Sequence, residues 1–305
     1  MSFSSDLKTE LYGRQEKALH CRIAELSGII SVSGRVTEDG AFVIRVDGEE
    51  IESKVRLLIR QIFDDTDGLE LESGGKHHRR LVVEESLRQK IYATCKVVPT
   101  DSAHVRVQRI VTERSCCKKA YIRGVYLAGG SMSNPEKAYQ LEISVLSEVE
   151  AGRILSEFST FGIEARYIQR GNRFVVYIKD GDAVAGVLGL MGATGSLMDF
   201  ENARILRGIR GDINREVNCD TANIAKTTKA AGRQIEDIRL IEETVGLDSI
   251  DTELAAIARV RMEYPIATLA ELGSLVTPKI GKSGVSHRLR RISDIAAKLR
   301  DCGQM

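Results

Sequence analysis

The sequence predicts an α+β fold, in which a domain of order αββαββα is read twice in succession and followed by an all-α domain. Three observations carry this expectation. Two glycine-containing apolar phrases, LSGIISVSG at Leu26–Gly34 and IRGVYLAGGS at Ile122–Ser131, recur 96 residues apart. Each is followed, 34 and 32 residues after its closing glycine, by an alternating run, a glycine turn and a second run, GLELESGGKHHRRLVVEE from Gly68 and GIEARYIQRGNRFVVYI from Gly162. That pattern is the signature of a hairpin. From about Asn218 to Leu299 strand-like alternation disappears, and apolar residues recur only at helical spacing.

Between phrase and hairpin each copy carries a strand-like segment, Ala41 to Val46 and Tyr139 to Leu146, and then a helix. Ser147-Glu148-Val149-Glu150 reads as a capping box opening the second of these helices, and Gly162 as its stop. A further short helix follows each hairpin, near Ser86 to Ala93 and near Asp182 to Met191. The boundaries so drawn are 1–93 and 94–207 for the two repeats, 208–219 for a linker that leaves the orientation of the last domain free, and 220–305 for the helical domain. Inside the phrases, Ala24 and Gly28, and Ala120, Gly124 and Ala128, stand four apart and share one helical face. A glycine inside a helix costs about 1 kcal/mol relative to alanine. Its use at Gly28 and Gly124 predicts that the two phrase helices approach backbone to backbone about a pseudo-two-fold axis.

Length and charge bound the function. The 305 residues suffice for two or three domains. With 44 basic and 43 acidic residues the net charge is +1, so any polyanion-binding surface must be local. No apolar run approaches a membrane span, and MSFSSDLKTELYGRQEKAL lacks the apolar core of a signal peptide, which leads to the expectation of a cytoplasmic protein. The six cysteines, Cys21, Cys95, Cys116, Cys117, Cys219 and Cys302, show no CxxC spacing. They read as reduced thiols, neither disulfides nor a zinc site.

The two phrases resemble degenerate LAGLIDADG motifs, the paired interface helices of homing endonucleases. In that family the eighth motif position is an acid at the foot of each helix, where two carboxylates hold the cations that hydrolyse DNA. Here the eighth positions are Ser33 and Gly129 and the sixth are Ser31 and Leu127. Glu38 and Asp39 fall in the turn after the first motif, and the second copy has no acid before Glu136. The resemblance therefore implies the curved sheet that straddles DNA, without a nuclease centre, and with no catalytic residue, metal or cofactor expected. On that sheet the hairpin tip Lys76-His77-His78-Arg79-Arg80 is strongly basic, and the equivalent turn carries Arg170 and Arg173. Such a tip suits phosphates or simply solvent; its histidines lack the acids or cysteines of a metal site. Arg204, Arg207 and Arg210 recur every three residues in what reads equally as a solvated helix.

In the helical region, Thr221 to Val245 reads as a long helix ending at Gly246, and Asp251 to Glu263 as a second, stopped before Pro265. Thr268-Leu269-Ala270-Glu271 is a capping box for a short third. After the turn TPKIGK, Val285, Leu289, Ile292, Ala296 and Leu299 form a narrow apolar stripe. Ser283, Ser286, His287, Arg290, Arg291 and Lys298 lie opposite it, and Lys282 to Arg300 holds six basic residues against one acid. A short capped helix, a tight connection and a basic amphipathic helix make a helix-turn-helix, whose second helix enters the major groove. The candidate contacts are Lys282, Ser283, Ser286, His287, Arg288, Arg290 and Arg291; a basic face on an ordinary bundle helix is the alternative. Two glycine-rich stretches are decoys. Gly281-Lys282-Ser283 lacks the P-loop glycine, since Val276 stands five residues earlier, and Gly186 to Gly195 reads as a helix end with a flexible linker.

Together the halves, with NCDTANIAKTTKAAGRQIEDIRLIEE and KSGVSHRLRRI, resemble the bacterial WhiA family over essentially the whole chain. The resemblance implies a nucleoid-associated regulator that binds double-stranded DNA and acts in transcription, cell division, chromosome segregation or sporulation, with sigma factors or other regulators as partners. The internal duplication, which supplies pseudo-symmetry within one chain, leads to the expectation of a monomer without excluding a dimer. The rival expectations are a metal-dependent endonuclease with unrecognised carboxylates and a protein-binding scaffold without DNA contact.

Overall fold

The computed structural model describes residues 2–65, 67–73, 79–100 and 103–302. It divides into two compact units, Met1–Gly208 and Ile209–Met305. The first unit contains α1 (Phe3–Gly13), α2 (Leu19–Ser33), β1 (Gly34–Val36), β2 (Phe42–Arg45), α3 (Glu49–Phe63), β3 (Leu69–Ser73), β4 (Arg79–Val83), α4 (Glu85–Cys95), and a small hairpin of β5 (Val97–Pro99) and β6 (Val105–Val107). The second repeat follows as α5 (Ser115–Gly129), β7 (Gly130–Met132), β8 (Leu141–Val145), α6 (Glu148–Ser159), β9 (Arg166–Arg170), β10 (Arg173–Ile178) and α7 (Gly181–Met191). The duplication is close: displacing α2 and β1 by 96 residues gives the bounds of α5 and β7. Each repeat forms one antiparallel sheet, ordered β1-β2-β4-β3 and β7-β8-β10-β9.

The seam between repeats is the α2–α5 contact, and the two predicted glycines form it. A Cβ on Gly28 would stand 2.3 Å from the carbonyl oxygen of Tyr121, and one on Gly124 would stand 2.1 Å from that of Glu25. Real side chains do not approach so closely, so the helices meet along bare backbone. Polar groups cross the same seam. Arg123, 1% exposed, donates to Glu25 at 3.0 Å and Glu16 at 2.7 Å, while Lys54 of α3 stands 3.1 Å from the fully buried Glu25. Burial alone would lower the Arg123 pKa, but these carboxylates hold it above the usual arginine range.

Strand parity sets the faces of the first sheet. Phe42, Ile44, Leu81, Val83 and Leu69 turn toward the helices and are buried. In the second sheet Leu141, Ile143, Val145, Val176 and Ile178 do the same. The segment over 208–219 is helical, part of α8 (Thr194–Thr244) with no proline between Pro135 and Pro265 to break it, and the boundary between the two units falls at the start of that segment. Two expectations need correction. The stretch ending at Gly195 is a tight corner rather than a flexible linker, Gly192 ending α7 at φ 77° two residues before α8 starts. Ser147 caps α6 without a side-chain bond, and the Glu150 carboxylate accepts from the buried hydroxyl of Tyr121, so neither half of the predicted capping box forms.

In the second unit the end of α8 packs with α9 (Thr252–Glu263), α10 (Leu269–Leu275) and α11 (Lys282–Cys302) around Ile238, Ile241, Leu254, Ile257, Leu272, Val285, Leu289 and Ile292. The predicted capping box is present: Thr268 Oγ1 accepts from the Glu271 amide, and the Glu271 carboxylate accepts from the Thr268 amide. Asp237 of α8 accepts from Ser293 and Arg300 of α11, both at 2.6 Å.

Because the seam has no room for a methyl group, Gly28→Ala and Gly124→Ala should each destabilise the protein by about 3 kcal/mol or more, as overpacking of a rigid contact does. Gly152→Ala in α6 meets nothing within 4 Å and should instead stabilise by about 0.5 to 1 kcal/mol. Urea midpoints of the three variants check this.

Candidate nucleic-acid interface

The sheets turn one face to the helices and leave the other open. On the open face of the first, Arg35 pairs in register with Val43, and Arg45 with Arg80, which in turn faces Glu72. A depression of about 1020 Å³ is lined here by Arg35, Val43, Arg45, Glu72 and Arg80. In the second sheet Arg170 and Arg173 are directly opposed, with Arg166 on the same face. The charge on these arginines is unequally compensated. Arg80 meets Glu72 at 2.6 Å and Arg170 meets Glu142 at 3.1 Å. Arg35, Arg45 and Arg173 have no carboxylate partner among the described residues. Burial first, and then the charges of Arg45 and Arg173, pull the Arg35 pKa down to about 10. Arg173 belongs to the other repeat, so the two sheets pool their positive charge.

This placement revises the hairpin assignments. Arg170, Arg173 and Arg80 lie on the open face as expected. Arg79 lies one strand position out of phase with Arg80 and also borders the depression, and Glu52 at 2.6 Å and Glu49 at 3.5 Å neutralise it. Lys76, with His77 and His78, lies outside the described residues. Arg35, Arg45 and Arg166 share this face without having been expected there; at Arg35 and Arg45 the available signal was a cation in an otherwise apolar strand.

At the feet of α2 and α5 the residues do not fit divalent cations. Ser33 Oγ donates to its own helix carbonyl at Ile29, 2.7 Å away. Gly129 has no side chain, and a Cβ there would stand 2.6 Å from the carbonyl oxygen of Ser144 and 2.8 Å from Val32. Ser31, two residues earlier, lies with its hydroxyl 2.9 Å from the Gly28 carbonyl and 3.1 Å from the Tyr121 hydroxyl. The carboxylate nearest in this network, Glu150, is bound to Tyr121, whose phenol burial and that carboxylate hold well above its ordinary pKa.

In the second unit α11 presents its faces as its periodicity predicts. Val285, Leu289, Ile292 and Ala296 are buried, and Lys282, Ser283, Ser286, His287, Arg290 and Arg291 are exposed. Arg288 departs from the expectation: it sits at the flank and pairs with Glu253 of α9 at 2.5 Å. The helix is seated by Gly273 of α10, where a Cβ would be 2.2 Å from the carbonyl oxygen of Ile280. Buried Arg261 supports the preceding turn by donating to the Ala267 carbonyl at 2.6 Å.

Comparison with known proteins agrees with both units. Residues 118–210 match the family model described as the WhiA LAGLIDADG-like domain, and residues 213–296 the one described as the WhiA C-terminal HTH domain. A protein of Lachnospira eligens named probable cell division protein WhiA is 41% identical over 310 residues, covering 98% of each chain. One of the same name from Thermoanaerobacter pseudethanolicus is 36% identical over 315 residues and 99% of each. The crystal structure of full-length DUF199/WhiA from Thermatoga maritima matches 98% of this chain and 99% of its own, with a TM-score of 0.59 and 25% identity.

Restoring acids to the helix feet tests the loss of the cation site. Gly129→Asp must push Ser144 or Val32 aside and should cost about 1 to 3 kcal/mol in a thermal or urea melt. Combined with Ser33→Asp it should still give no nicking of supercoiled plasmid with Mg²⁺ or Mn²⁺. Metal-dependent nicking by the double variant would show that the feet can still seat the cations.

Proposed function

Since the chain belongs to the WhiA family, we propose that it is a DNA-binding regulator of transcription, cell division or chromosome segregation that reads duplex sequence without cutting it. The observation that carries this is the N-terminal half of α11. Its apolar stripe is used up in the core, and Arg290 and Arg291 stand exposed with no carboxylate partner among the described residues. An arginine in that position can donate two parallel bonds to a guanine edge, a contact worth about 1 to 3 kcal/mol of base discrimination. The open face of the paired sheets supplies a different kind of attraction. Arg35, Arg45 and Arg173 repel one another in the free protein, and a phosphate backbone relieves that repulsion while releasing counterions. Sequence preference therefore belongs to α11 and salt-sensitive affinity to both surfaces. The endonuclease reading lacks its acids, because the eighth motif positions are Ser33 and Gly129.

Chromatin immunoprecipitation would supply the target sequence, and fluorescence anisotropy on that duplex the affinities. Replacing Arg290 and Arg291 together by alanine should remove the preference for target over random DNA. Replacing Arg35 and Arg45 by alanine should weaken both equally and lower the salt slope by about 1 for each phosphate that the variant no longer neutralises. Full sequence preference in the first variant would overturn the assignment of α11.

A further inference from the structure

The ends of α2 and α5 remote from Ser33 and Gly129 carry a group of side chains that DNA binding does not use. His20 and Cys21 are the second and third residues of α2, and Cys116 and Cys117 are the second and third of α5. The 96-residue repeat relates them one to one. Their four ligand atoms, His20 Nδ1 and three Sγ, all lie within 4.8 Å of one another. Nδ1 is 3.2 Å from Cys117 Sγ, 3.3 Å from Cys21 Sγ and 3.9 Å from Cys116 Sγ. A tetrahedral zinc ion, with bonds of about 2.3 Å to sulfur and about 2.0 to 2.1 Å to nitrogen, places such atoms about 3.6 Å apart. The observed separations bracket that edge. Among the described residues no other such group of His, Cys, Asp or Glu forms.

We propose that His20, Cys21, Cys116 and Cys117 bind one Zn²⁺ ion, which clamps the two repeats together at the start of their central helices. Three thiolates and one imidazole form a closed structural set with no position left for water or substrate, and soft sulfur donors favour zinc over magnesium or calcium. On binding, each thiol gives up its proton to solvent. The neutral imidazole donates the Nδ1 lone pair and keeps its proton on Nε2. The resulting centre has one net negative charge, and its surroundings suit that sign. Two helix N-termini converge on it, and neither Ala18 nor Arg114, the residues preceding α2 and α5, caps its helix with a side-chain hydrogen bond. First-turn amides and both helix dipoles thus face the anionic centre. Cys21 and Cys117 are buried and Cys116 is exposed, so the ion can enter from one side. The clamp lies about 18 Å along α2 from its foot, at 1.5 Å per residue. It is therefore distinct from the position at which the fold family holds catalytic cations.

The test uses the full-length chain, untagged, stripped with chelator under reductant and titrated with Co²⁺ and then Zn²⁺. One equivalent of cobalt should produce the visible bands of a tetrahedral site together with thiolate-to-cobalt charge transfer, and zinc should displace it. Cys116→Ala removes the exposed ligand without opening the core. It should weaken cobalt binding by more than the roughly 10- to 100-fold that loss of an outer-shell partner costs. Cys219→Ala, an exposed cysteine elsewhere, should change nothing. Absence of charge transfer, a spectrum unaltered by Cys116→Ala, or a disulfide among these cysteines in zinc-replete reducing buffer, read by intact mass, would overturn the proposal.

Discussion

The architecture depends on two helices touching without side chains between them. With Gly28 against the Tyr121 carbonyl and Gly124 against that of Glu25, α2 and α5 are held at a separation that no other residue type permits. The rest of the first unit follows from it. Each helix runs directly into the first strand of its own sheet, so the spacing of the helices sets the spacing of the sheets. That spacing brings Arg173 of one repeat within the field of Arg35 of the other. A shared basic surface is thus a consequence of glycine packing at a distance.

Charge alone would not have identified that surface. The chain is nearly neutral, and several conspicuous arginines are already satisfied: Arg79 by Glu52, Arg288 by Glu253 and Arg300 by Asp237. What distinguishes the remaining cations is lack of compensation. Arg35, Arg45 and Arg173 form no ion pair among the described residues, and Arg290 and Arg291 project from a helix whose opposite stripe is committed to the core. Such groups lower the free energy of a bound polyanion because folding has not already neutralised them.

Much of this was legible in the sequence wherever periodicity or a repeated distance carried it. The order of elements, the helix contact at the glycines, the loss of acids at Ser33 and Gly129 and the faces of α11 all follow from local pattern. The failures have separate physical causes. Arg79 and Arg80 are adjacent, and strand parity sends them to opposite faces, which a basic run does not reveal. The Ser147 capping box does not form, its carboxylate half being engaged by a buried phenol distant in sequence. The β5–β6 hairpin has three-residue strands, too short for alternation to register. The convergence of His20 and Cys21 with Cys116 and Cys117 has no spacing signature at all, because its ligands come from separate repeats.

The buried Arg123 marks where the twofold likeness of the halves ends. Its counterpart 96 residues earlier is Ser27, and the counterparts of its partners Glu25 and Glu16 are Tyr121 and Thr112. A second repeat that docked onto a copy of itself would leave that guanidinium facing a phenol in a dry seam, and an uncompensated buried charge costs about 3 to 5 kcal/mol. The two halves are thus complementary rather than interchangeable at their seam, and the second alone lacks the acids that its own guanidinium requires.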